Sequence, residues 1–134
     1  NGVPKIYVRR DPVHDHLSMQ DTVDRARLIQ KAIPSSQFYC EDVGYQKAAI
    51  EMMRKSWVNV KGVHPIGDKR ARLETVSPLI QNGTVEFAET GNEDLLSEIL
   101  NFGIEDHDDL LDALVYALLA VLERGIHEKL VTWI

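Results

Sequence analysis

Apolar and polar positions along this chain follow two periods in turn. Pro4 to Arg10 (PKIYVRR) alternates and carries β-branched and aromatic types, which predicts a strand. Asp11 to Leu17 is a polar connector. From Ser18 to Ile33 the period lengthens: Val23, Ala26, Ile29 and Ile33 fall on one helical face, and Ser18, with Asp21 three residues on, supplies a cap. Pro34-Ser35-Ser36 stops that helix. Gln37 to Glu41 (QFYCE) is short and mostly apolar, as a central strand is. Asp42-Val43-Gly44 turns the chain. Tyr45, Ala48, Ala49, Met52 and Met53 then form a second helical stripe, with both methionines in the core. Asn59 to His64 (NVKGVH) predicts a strand ended by Pro65. Asp68 to Leu79 predicts a helix that stops at Ser77, because the residue before Pro78 disfavours the α region. Asn82-Gly83 turns into a strand at Thr84 to Phe87. Glu93 to Leu100 is a short helix. Asp108 to Arg124 is a long one, ended by Gly125. The order β-α-β-α-β-α-β-α-α predicts an α/β sandwich with a largely parallel sheet.

Length and composition add bounds. The 134 residues, 44% hydrophobic and 27% charged, suit one domain over residues 1–134. No stretch is long and apolar enough to span a bilayer, and no signal-peptide pattern opens the chain. The single cysteine, Cys40, forms no internal disulfide, which favours a reducing compartment. The formal net charge of −6 argues against a simple basic nucleic-acid module but leaves room for a carboxylate-rich metal site. Opening on Asn-Gly-Val-Pro without a methionine, the sequence reads as a piece of a longer protein.

The sharpest chemistry lies in His107-Asp108-Asp109-Leu110-Leu111-Asp112 (HDDLLD), at the start of the long helix. At the helical twist, Asp108, Asp109 and Asp112 fall within an arc of roughly 100°. Leu110, Leu111, Leu114, Val115 and Leu118 occupy most of the remaining circumference. An aspartate in a first turn is also what capping and the macrodipole favour. Three crowded carboxylates repel one another, however, and a hard cation such as Mg²⁺ relieves that repulsion. A second acidic feature, Glu41-Asp42, ends the QFYCE strand, where ligands gather in open α/β sheets. A plain polar turn with Asp42 capping the next helix is the alternative. Carboxylates from a strand end and a helix start are the parts of a two-metal site that clamps the attacking and leaving oxygens of a phosphodiester.

Asp68-Lys69-Arg70-Ala71-Arg72 places three cations within four residues at a helix start. Lys69, Arg70 and Arg72 are candidates for contact with a DNA backbone, a solvated helix face being the alternative. His14 and His16 read as solvated loop residues, and His107 as a neighbour of the acidic cluster. Trp57 and Trp133 read as packing residues and Cys40 as a small hydrophobe inside a strand. The segment from Ile126 to Ile134 reads as an amphipathic tail.

Taken in order, these pieces resemble the C-terminal nuclease domain of the phage terminase large subunit. The resemblance rests on FYCEDVG, on Asp68, Lys69 and Arg72 as an Asp-Lys-x-x-Arg element, on SPLIQNGTVEF, and on a Leu-rich helix followed by Phe102 and HDDLLDALVYAL. It covers most of residues 3–124. It implies a ribonuclease-H-like mixed central sheet flanked by helices. It also implies an Mg²⁺- or Mn²⁺-dependent endonuclease, with two metals, that cuts concatemeric double-stranded viral DNA during packaging. The catalytic carboxylates it implies are Glu41, Asp109 and Asp112, with Asp42 and Asp108 as further metal ligands. Glu41 ranks above Asp42, since neighbours on a strand face opposite sides. In the full-length protein the implied partners are the small subunit and the portal protein besides DNA, with self-association into a homo-oligomer allowed. The implied location is the cytoplasm of a bacterial host.

The chain departs from the family pattern at its start. The first strand, with its Asp, has no counterpart ahead of Pro4, and Asp11 and Asp15 lie in the wrong context to replace it. The sheet is therefore expected to lack its first strand, with the domain truncated at its N-terminus or, alternatively, the sheet completed by another copy, and the ATPase half is expected to be absent, since no Walker-type loop occurs. Such a fragment can be inactive alone. Rival readings are a non-catalytic docking module of the packaging motor and another ribonuclease-H-like enzyme of resolvase or transposase type. A nucleotide-binding α/β domain lacks support, because no Gly-rich strand-to-helix turn occurs.

Overall fold

The computed structural model describes residues 5–9, 17–64, 67–103, 109–124 and 129–131, with the backbone alone at 124 and 129–131. The elements run β1 (Ile6–Val8), α1 (Met19–Ala32), β2 (Phe38–Glu41), α2 (Gln46–Lys55), β3 (Val60–Val63), α3 (Lys69–Gln81), β4 (Val85–Phe87), α4 (Glu93–Leu100), α5 (Asp109–Arg124) and β5 (Lys129–Val131). They divide into two compact units. One is Asp15–Ile66; the other joins Asn1–His14 to Gly67–Trp133. The predicted parallel pairing is present in each. Among the described residues the strands form two groups, not a single sheet: β4-β1-β5 and β2-β3. No helix among the described residues is long and apolar enough to cross a membrane.

In the Asp15–Ile66 unit, α1 starts where the sequence places it. The Ser18 hydroxyl accepts from the Asp21 amide at 3.1 Å, satisfying one donor that the first turn leaves over. Val23 and Ala26 bury the inner face and join Phe38, Ile50, Met53, Val58 and Val60 in one core. The α2 stripe is rotated from expectation. Ala49, Ile50 and Met53 are buried, Met52 is half-buried, and Tyr45 and Ala48 are exposed. Ile50 outcompetes Tyr45 for the core because Tyr45 precedes the helix, as its N-terminal cap residue.

The end of α2 corrects the packing role expected of Trp57. Trp57 is 87% exposed and has a positive φ of 65°. Its amide donates to Arg54 O at 3.1 Å, and the Val58 amide donates to Met53 O at 2.9 Å. This pair of bonds is the Schellman closure, with Val58 and Met53 making the apolar contact that accompanies it. Glycine is the usual residue at the left-handed position. A bulky side chain there costs on the order of 1 kcal/mol or more.

In the other unit, β1 lies between β4 and β5, with Ile6 opposite both Val85 and Lys129. Ile6 and Val8 face the core and Tyr7 faces away. The core adds Val76 and Leu79 of α3, Leu95 of α4, and Leu110, Leu111, Leu114, Val115 and Leu118 of α5. Each fully buried leucine stabilises the fold by roughly 1.5–3 kcal/mol relative to an exposed one. Two expectations fail here. α3 continues through Pro78 to Gln81 instead of stopping at Ser77. A proline inside a helix costs about 3 kcal/mol, but Val76 and Leu79 on either side of it are both buried, at 0% and 7% exposure, and their burial outweighs that cost. The segment read as an amphipathic tail contains β5, which pairs in parallel with β1 along the edge that β4 leaves open.

Candidate active site

The acidic helix start belongs to the β1-containing unit. Asp109 is the first residue of α5 and exposed; Asp112, three positions on, is half-buried. Three positions bring the two side chains within about 60° around the axis, so both carboxylates lie on one side of the first turn. The helix is anchored behind them by Leu110, Leu111 and Leu114, all buried. Its first-turn amides need acceptors, and one comes from a residue the sequence reading overlooked. Glu98 of α4 is 5% exposed, and its Oε1 accepts from the Leu111 amide at 3.1 Å. A carboxylate from a neighbouring helix thus holds the start of α5. The available signal was an acid on the apolar face of α4, three positions after Leu95.

The cations of α3 meet this platform. Asp68 caps α3, its Oδ1 accepting from the Ala71 amide at 2.7 Å. Lys69 Nζ stands 3.1 Å from Asp112 Oδ2. Arg70 lies over the Phe102 ring at 5.2 Å, and Arg72 over the Tyr116 ring at 5.5 Å. Arg72 Nη1 also donates to Gly67 O at 2.7 Å. Gly103, with φ of 87°, leaves room for Arg70, whose Nη2 would stand 3.2 Å from a β-carbon there. Each of the three cations read as DNA-binding candidates therefore has an intramolecular partner.

The other acidic pair closes β2 in the Asp15–Ile66 unit. Glu41 pairs in register with Val63, and the Asp42 amide donates to Val63 O at 2.7 Å. Asp42 lies across β3 at Gly62: a β-carbon on Gly62 would stand 3.2 Å from both Asp42 Cβ and Ile50 Cδ1. Asp42 therefore shares the α2 side of the strand pair, and by alternation Glu41 takes the opposite side. Asp42 does not cap α2, which begins after Tyr45 with no side-chain cap. Beside them, burial pushes the Cys40 thiol pKa up, and the charges of Glu41 and Asp42 push it further. Cys40 stays a neutral thiol, in keeping with a small hydrophobe.

Asp108, His107, His14, His16 and Trp133 lie outside the described residues. Among the described residues of either unit, no three His, Cys, Asp or Glu side chains group as a set of metal ligands.

Comparison with known proteins decides the family. A model of the terminase RNase H-like domain matches residues 15–121, most of the chain. The chain belongs to this family. The terminase RNase H-like domain described here also resembles a solved structure, the large terminase nuclease from thermophilic phage G20c with bound zinc. The TM-score is 0.62 and the identity 20%, over 78% of this chain and 61% of that one. That likeness shows the ribonuclease-H-like fold, and the chain spans less than two thirds of that nuclease. No curated protein matches the chain. The matched span of this terminase domain includes Glu41, Asp42, Lys69, Arg70, Arg72, Asp109 and Asp112.

Proposed function

We propose that this terminase domain is the endonuclease of a phage packaging motor and hydrolyses concatemeric double-stranded viral DNA with Mg²⁺ or Mn²⁺. The observation that carries the reading is the Asp109–Asp112 pair on the first turn of α5, with the ammonium of Lys69 on Asp112. The pair fits a hard cation. Both donors are carboxylates, and a positive charge already rests on one of them. The zinc named with the solved phage G20c nuclease adds support for a divalent ion.

In this reading Asp109 and Asp112 hold the metal, and Glu98 keeps them in place through the Leu111 amide. The rigid leucine face of α5 limits the motion of both carboxylates. Lys69 neutralises Asp112 until DNA and metal arrive, and then has a phosphate to turn to. Bound metal supplies an activated water and a positive charge for the leaving oxygen. The family resemblance also implies metal ligation by Glu41, with Asp42 and Asp108 as neighbours. DNA is the substrate, and the small subunit and portal are partners of the complete protein.

The test is calorimetric titration of Mn²⁺ into the chain, with Asp109→Ala, Asp112→Ala and Glu41→Gln beside it. Binding by the parent and loss in the Asp109 and Asp112 variants is the expected result. Glu41→Gln reads the β2 carboxylate separately, with weakened binding expected. Unchanged binding in both aspartate variants sinks the assignment, and a non-catalytic docking role then takes its place.

A further inference from the structure

The face around Trp57 has no part in the acidic site, yet it is built with care. Trp57 stands at the left-handed position that closes α2, and its indole is 87% exposed. The turn is held on both sides by one side chain. Gln30 of α1 donates from Nε2 to Trp57 O at 2.8 Å, and its Oε1 accepts from the Asn59 amide at 2.8 Å. Nothing in the core needs this indole, and a glycine would fit the turn with less strain. The consequence of the arrangement is that a large flat aromatic is held out into solvent. Around it, Arg27, Lys31, Gln30, Pro34 and Ser56 line a shallow hollow. Among the described residues neither the Arg27 nor the Lys31 side chain has an ion pair or hydrogen bond. The nearby acid, Asp24, accepts from Gln20 at 2.9 Å.

We propose that this face binds single-stranded DNA, with a base stacked on Trp57 and the flanking phosphates taken by Arg27 and Lys31. An exposed indole with cations lacking partners beside it is the composition of a single-strand platform. Stacking on an exposed ring needs a base whose face is open, which duplex DNA does not offer. Two cations without partners in a chain of net charge −6 favour a polyanion over an apolar protein surface.

The test is fluorescence anisotropy of a labelled oligothymidine with the full chain in EDTA, where metal-dependent cleavage is silent. A failed nuclease reading therefore leaves this result untouched. Trp57→Gly is expected to weaken binding about tenfold or more, and Trp57→Phe to retain most of it. Arg27→Gln with Lys31→Gln is expected to reduce the salt slope by about 1.4. Trp57→Gly should keep or raise Tm, because glycine suits the turn, so lost binding is not lost folding. Equal affinity in the parent and Trp57→Gly overturns the proposal. So does equal affinity combined with loss of self-association in sedimentation, which assigns the face to a second copy of this chain.

Discussion

The chain carries two sets of cations that differ in what they touch. Lys69, Arg70 and Arg72 crowd together in sequence, and each is engaged: by Asp112, by Phe102 and by Tyr116. Arg27 and Lys31 are four positions apart and unremarkable in sequence, yet among the described residues both are without partners, beside an exposed tryptophan. Density of charge along a sequence therefore says little about its availability. A cation at a helix start that faces another helix finds rings and carboxylates at hand. A cation on an outward face keeps its charge for a visitor.

The contrast can be broken at its base. Glu98→Ala strips the Leu111 amide of its acceptor inside the core, and should lower stability by about 1–3 kcal/mol in urea unfolding. A neutral result would mean that α5 does not depend on Glu98 and that the platform under the α3 cations is set elsewhere. Arg70→Ala and Arg72→Ala test engagement directly. Each should cost roughly 0.5–1 kcal/mol through its lost ring contact. Smallest is the expected effect of Arg27→Ala and Lys31→Ala, within about 0.5 kcal/mol in the same assay. If those two cost as much as the α3 arginines, the distinction between the sets collapses.

Much of the fold could be read from the sequence because its signals were local. Ser18 with Asp21, the apolar stripe of α1, the eight residues of α4 and the start of α5 are each written within one or two turns. What could not be read depended on distant partners. The helix through Pro78 survives because Val76 and Leu79 find a core that no local rule describes. β5 is three residues long, too short for a period, and exists because β1 offers an edge. The site divides the same way. Asp109 and Asp112 were visible as a crowded turn, while Glu98 looked like one more acid on a helix and Lys69 like a free cation. The side taken by Asp42 depended on Gly62, twenty positions away.

The pairing of β1 also sets an order of assembly. Ile6 meets Val85 on one side and Lys129 on the other, and Lys5 donates to Gly83 O across 78 positions. Asp15–Ile66 lies wholly inside that span and is continuous in sequence. Its contacts close short loops and can form while the chain is still being made. β1, first off the ribosome among the strands described, has to wait for β4 and then β5, because loops of that length close slowly. Until then the edges of β1 that β4 and β5 take stay without those partners, and unpaired strand edges of this kind favour aggregation.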